Sequence, residues 1–111
     1  MKIKQYDIWL ADLNPRIGTE PGKTRPVVVI QTDLLNGIHP STIICPITSN
    51  INNEIDLLRV HLKKSQLDKL SDVLVGQIRA IDNKRLIKKL GQLNKDQTHK
   101  IKSNIRIVLD L

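Results

Sequence analysis

Apolar residues occur in short clusters along this chain, and their spacing moves from two residues to three and four near the C-terminus. In "YDIWLADL", Tyr6 to Leu13, Ile8 and Leu10 project to one side and Trp9 and Ala11 to the other. That period of two predicts a first strand. "NPRIGTEPGKT" follows, with two prolines and two glycines in eleven residues. It predicts a loop, and its length in so small a chain makes it a candidate functional element. "RPVVVIQT" is a continuous β-branched run and predicts a buried strand. Pro26 has no N–H, so it belongs at the strand's first residues or on an edge. "DLLNGIHPS" predicts a turn or short helical connection, broken at Asn36-Gly37 and His39-Pro40.

"TIICPITSN" predicts a third strand, with Pro46 marking a bulge or an edge. "LLRVHL" predicts a fourth and "SDVLVGQIRAI" a fifth. "DNKRLIKKLGQL" is expected to form a short helix ending at Gly91. In "NKDQTHKIKSNIRIVLDL", Ile101, Ile105, Val108 and Leu109 repeat at helical spacing behind Asn94, a natural N-cap. Five short strands and a terminal helix predict a mainly β fold, a small, strongly bent sheet or partly open barrel, as one domain over residues 1–111. An exposed aliphatic face or an edge strand of such a sheet suits a homodimer.

Composition narrows the function. Only 2% of residues are aromatic, which leaves an aliphatic core and counts against RNA binding that works mainly by base stacking. Eighteen Lys and Arg against eleven Asp and Glu give a charge of +7, which suits a polyanion such as nucleic acid, or simply a soluble basic surface. Cys45 is the only cysteine, so no internal disulfide forms, and its apolar setting predicts a small buried residue. The opening "MKIKQYD" has no apolar signal-peptide core, and no apolar run is long enough to span a membrane. The expectation is a cytoplasmic protein.

The chemistry-bearing patterns are few. No GxxxxGK[ST], GxGxxG or G-x-S-x-G is present, and one cysteine with scattered His39, His61 and His99 offers no metal-ligand spacing. No metal or cofactor is expected. Polar residues instead mark strand ends: Glu20 and Arg25 bracket the long loop, Thr48, Ser49 and Asn50 close the third strand, and Gln77 and Arg79 interrupt the fifth. In a curled sheet these ends can converge. A guanidinium there forks onto a phosphate, a hydroxyl beside it donates to the same group, and Gln77 can read a base edge. The same residues also suit structural duties. Arg25 can pair with Glu20, Thr48 and Ser49 can cap a turn, and Arg79 can pair with Asp82 on the surface.

"YDIWLADLNP", "GTEPGKTRPVVVIQ", "CPITSN" and "GQIRAIDNKR", in that order from about residue 6 to residue 85, resemble the MazF/PemK family of toxin endoribonucleases. The G-x-E-x(4)-R-P core, as Gly18, Glu20, Arg25 and Pro26, is its most specific part. The resemblance implies a small SH3-like barrel, a homodimer, and metal-independent cutting of single-stranded mRNA at short sequence motifs. The implied products are a 2′,3′-cyclic phosphate and a 5′-hydroxyl. By resemblance Arg25 and Thr48 are the catalytic pair, and Asn14, Gly18, Glu20, Ser49, Gln77 and Arg79 line the RNA groove. A cognate antitoxin with an acidic tail is the implied protein partner, and operator DNA is contacted only through it.

Two positions depart from the family pattern. Tyr6 stands where a glycine is usual, and Gly76 stands where an acidic residue often precedes Gln77. Some relatives are proposed to use that acid as the general base. A relative of the same fold poisons DNA gyrase. The alternative expectation is therefore a catalytically weak or inactive module that binds nucleic acid or protein without cutting. Cleavage by the RNA's own 2′-OH needs alignment, charge relief on the phosphorane and proton transfer at both ends. An arginine at a loop–strand junction suits charge relief, while its pKa above about 12 makes it a poor base.

Overall fold

A computed structural model describes residues 2–15, 18–19, 23–52, 54 and 57–111. Glu20, one of the expected groove residues, lies outside them. Among the described residues, seven antiparallel strands precede one helix: β1 (Asp7–Asp12), β2 (Thr24–Val29), β3 (Ser41–Thr48), β4 (Arg59–Leu62), β5 (Ser71–Leu74), β6 (Arg79–Asp82), β7 (Leu86–Gln92) and α1 (Lys95–Leu109). The sheet runs β4-β5-β3-β2-β1-β7, with β6 also paired to β3, and it does not close into a barrel.

The sheet buries side chains on both faces, which is why the β2 sequence carries no alternation. Val28 joins Ile8, Cys45, Ile47, Val60, Val73 and Val75 in one cluster, against which Ile105 and Val108 of α1 also pack. Val27 and Val29 join Trp9, Ala11, Ile44, Ile81 and Leu86 in the other. The helix start is fixed by a capping box: the Asn94 side chain accepts from the Gln97 N–H, and the Gln97 side chain accepts from the Asn94 N–H. Ile101 is fully buried, whereas Leu109, expected on the same face, is exposed in the last helical residue.

Two expectations change. The fifth strand is two strands, β5 and β6, separated by a 3-10 turn over Val75–Gln77. Both run beside β3. β6 pairs with Ser41–Ile44, and β5 pairs with Ile47 and Thr48. The break in that outer ladder falls at Cys45 and Pro46, and Pro46 has no N–H to offer a strand there. The segment expected to be a helix ending at Gly91 is β7, after a 3-10 turn over Asn83–Arg85. Its partner is the outer edge of β1, with register shifts after Ile8 and after Leu10, and this long-range pairing overrides local helical spacing. Exposed Lys88 and Lys89 blunt the new edge against further strands. Pro26 is the third residue of β2, opposite Leu10. The pairing of β2 to β3 spans Val27 to Val29, so Pro26 lies just past the end of that ladder.

Tyr6 has φ of 69°, a left-handed backbone that glycine adopts without strain. Its N–H donates to the Val29 carbonyl and its carbonyl accepts from Leu93, so this turn ties β1 to β2 and to the end of β7. The side chain packs on the first core cluster with Lys102 Nζ 5.9 Å from the ring centroid. Packing therefore holds a tyrosine in a glycine-like turn.

Candidate active site

Strand register assembles the site. Arg25 lies opposite Ala11, and Val27 lies opposite Pro46. The β2–β3 pairing ends there, and Arg25 lies two residues further along β2, beside the end of β3. Thr48 lies opposite Asp72, and Asp72 opposite His61. Directly opposed residues of antiparallel strands project to the same face. Thr48, Asp72 and His61 thus form a row across β3, β5 and β4, with Arg25 beside its end. Arg25 Nη1 donates to the Ile47 carbonyl at 3.4 Å, which holds the guanidinium over the end of β3. Thr48 Oγ1 accepts from the Asn50 N–H at 3.1 Å, so the turn-capping duty expected of it is present.

Asp72 has no solvent exposure. Its Oδ1 is 2.6 Å from His61 Nδ1, and its Oδ2 accepts from Arg59 Nη1 at 3.0 Å and from the Asn52 N–H at 3.1 Å. Burial alone would raise this carboxyl. The hydrogen bonds from His61, Asn52 and Arg59, with the charge of His61, outweigh burial and hold it below the usual value. Arg59 also donates to the Asn50 carbonyl at 2.8 Å, tying β4 to the segment after Thr48.

Beside the row, a cleft of about 480 Å³ opens on the other face of β3. Its lining includes Arg25, Ser49, Gln66, Lys69 and Leu90. Thr48 is absent from this lining because strand alternation turns it away from Ile47 and Ser49. Arg25 therefore borders both the row and the cleft. Gln66 is locked by a reciprocal amide pair with Gln97, at 2.6 and 2.8 Å, so the β4–β5 loop wall is anchored to the start of α1.

The other expected residues are dispersed. Asn14 accepts from the Lys23 N–H and closes the neck of the long loop. Gly18 takes φ of 57° in an exposed turn. Gln77 is half-buried in the 3-10 turn after β5. Arg79 lies opposite Ile44, four residues back along β3 from Thr48, with Nη1 buried and without a hydrogen-bond partner among the described residues. Asp82 instead caps Lys84, so no Arg79–Asp82 pair forms. Cys45 is buried and its thiol is pushed up to about 12, as expected of an inert core residue. His39 and His99 are exposed, whereas His61 is a bonded member of the row. Sequence reasoning missed Asp72 and His61 because only the register of β4 on β5 brings them together. Lys69 and Gln66 were missed because nothing local marks that loop. Among the described residues, no helix is long and apolar enough to cross a membrane.

Residues 4–109 match the family of PemK-like, MazF-like toxins of type II toxin–antitoxin systems, and the chain belongs to that family. MazF-family toxins are endoribonucleases. Solved structures share the fold. MazF from Deinococcus radiodurans gives a TM-score of 0.87 at 20% identity, over 100% of this chain and 99% of that one. A MazE–MazF structure from the same organism gives 0.81 at 20% identity, over 100% and 99%. The Mycobacterium tuberculosis toxin MazF-mt6 gives 0.80 at 21% identity, over 95% and 97%.

Proposed function

We propose that this chain is the toxin of a type II toxin–antitoxin pair and cuts single-stranded mRNA in the cytoplasm at a short sequence motif, without a metal. The observation that carries the reading is the Arg25 guanidinium held by the Ile47 carbonyl at the end of β3, next to Thr48 in the chain, within a family of toxin endoribonucleases. The Arg25 fork takes the developing charge of the phosphorane, and the Thr48 hydroxyl donates to the same phosphate. The 2′-oxygen attacks phosphorus and the 5′-oxygen leaves. The products are a 2′,3′-cyclic phosphate and a 5′-hydroxyl. The groove is completed by Ser49 and Lys69 at the cleft, by Asn14 and Gly18 in the long loop with Glu20, and by Gln77 and Arg79 along β3. The charge of +7 steers RNA to it.

The working unit is a homodimer, supported by the open sheet and by exposed Ile107, Leu109, Leu34 and Ile38. The partner is an antitoxin with an acidic tail, by analogy with the MazE–MazF structures. Incubating the purified chain with a single-stranded RNA pool in EDTA, and mapping both cut ends, tests the activity. A defined motif with cyclic-phosphate ends supports the reading, and an intact pool contradicts it. A binding-only toxin of the same fold is the second reading, favoured by Gly76, which has no carboxylate to offer.

A further inference from the structure

The cleft beside Arg25 is shaped for more than a phosphate. Its volume of about 480 Å³ lies in the range of sites that enclose a small ligand. Its apolar lining comes from four elements: Pro26 of β2, Ile47 of β3, Leu67 of the β4–β5 loop and Leu90 of β7. Asp68 and Lys69 line it from the same loop as Leu67. We propose that this cleft seats one unpaired nucleobase of the RNA, next to the cut, and that Asp68 and Lys69 read its edge. The inference rests on the RNA-cleaving reading above and names the part of the chain that sets one position of its motif.

Charge decides between a base and a second phosphate. A phosphate would suit Lys69 but not the carboxylate of the adjoining Asp68. A base edge carries acceptors and N–H donors side by side, so an ammonium and a carboxylate are both satisfied by it. Asp68 and Lys69 are exposed, and among the described residues their side chains take no hydrogen-bond or ion-pair partner. The flat face of the base would lie on aliphatic side chains, which fits a chain with 2% aromatic residues. The cleft also adjoins the phosphate site. Arg25 borders it, and Arg25 Nη1 donates at 3.4 Å to the carbonyl of Ile47, itself a lining residue. A phosphate at Arg25 therefore brings an attached nucleoside to the mouth of the cleft.

The wall that carries Asp68 and Lys69 is fixed from behind. Gln66 Oε1 accepts from the Lys63 N–H at 3.0 Å and from Gln97 Nε2 at 2.8 Å. Gln66 Nε2 donates to the Gln92 carbonyl at 3.1 Å and to Gln97 Oε1 at 2.6 Å. Both donors and both lone pairs of that amide are engaged, so Gln66 positions the loop and reads no base. Past Lys69, Ser71 Oγ donates to the Lys69 carbonyl at 3.2 Å. A loop held at both ends loses little freedom when a base enters, which favours discrimination.

The test is single-turnover cleavage of a single-stranded RNA pool, randomised around the cut, by the full chain and by K69A and D68N. Sequencing the cut ends gives a rate for each base at each position. Both variants should keep the parental circular dichroism spectrum. Each should lose at least about fivefold of the preference at one shared position adjoining the cut. The rate on the favoured base should fall there, while the rates on the other three bases should not. A uniform fall over all sequences, with a shallower salt dependence in K69A, would assign Lys69 to a phosphate and overturn the proposal. Parental preferences at every position in both variants would overturn it too, and would leave the nuclease reading standing. A pool left whole by the parent overturns the nuclease reading and this proposal with it.

Discussion

Asn14 and Lys23 meet across the neck of the long loop, the Lys23 N–H donating to Asn14 Oδ1 at 2.8 Å. Beside them the Leu13 N–H donates to the Lys23 carbonyl at 2.9 Å, and Arg85 Nη1 donates to the Asp12 and Asn14 carbonyls. The loop that presents Gly18 thus springs from a closed base. Asn14→Ala should cost about 1 kcal/mol, the worth of one such hydrogen bond. Thermal unfolding should report that loss as a melting temperature lower by several degrees. Cleavage should weaken far less than on loss of Arg25. An unchanged melting temperature would contradict this structural duty and leave Asn14 with its groove role alone.

Asp72 links stability to pH. Its folded carboxyl lies below the unfolded value of 3.8, so its contribution is complete above that pH and is lost as pH falls through the folded value. Asp72→Asn should lower stability at pH 7 by about 2 kcal/mol, as for a hydrogen bond to a charged group. It should also flatten the loss of stability below pH 3.8. Urea unfolding at pH 7 and pH 3 measures both. Parallel pH profiles in parent and variant would refute the linkage.

Gly76 has room for a side chain. A Cβ there would meet only Leu58 Cδ1, at 3.7 Å, an ordinary contact, and its φ lies outside the left-handed region. Gly76→Asp should fold like the parent. If Arg25 and Thr48 suffice for cleavage, the added carboxylate should bring no gain in rate. A rise of tenfold or more would move proton transfer to position 76.

An acidic antitoxin tail and RNA both suit a positive groove, and both associations are partly charge-driven. Titrating labelled single-stranded RNA on the toxin against an acidic tail peptide should displace the RNA in proportion to occupancy. Raising salt should weaken both ligands. Simultaneous binding with no mutual displacement would exclude a shared groove.

The sequence made some of this architecture legible and hid the rest for physical reasons. "VVVI" announced a strand buried on both faces, and Asn94 announced the helix start, because each signal is local. "LIKKLGQL" misled, since Leu86, Ile87 and Leu90 suit a helix. Its strand state depends on β1, more than seventy positions earlier in the chain. Arg25 and Thr48 were legible through the motifs around them. Asp72 and His61 were not, because their meeting depends on strand register.

The central claim is that Arg25 relieves phosphorane charge beside Thr48. It is tested most directly by comparing the parent, Arg25→Ala and Arg25→Lys on the same RNA motif in EDTA. All three should share one circular dichroism spectrum. The parent should cut, Arg25→Ala should fall by about 10²-fold or more, and Arg25→Lys should recover little, because a point charge cannot fork onto two phosphate oxygens. Cleavage by Arg25→Ala at the parental rate would contradict the account.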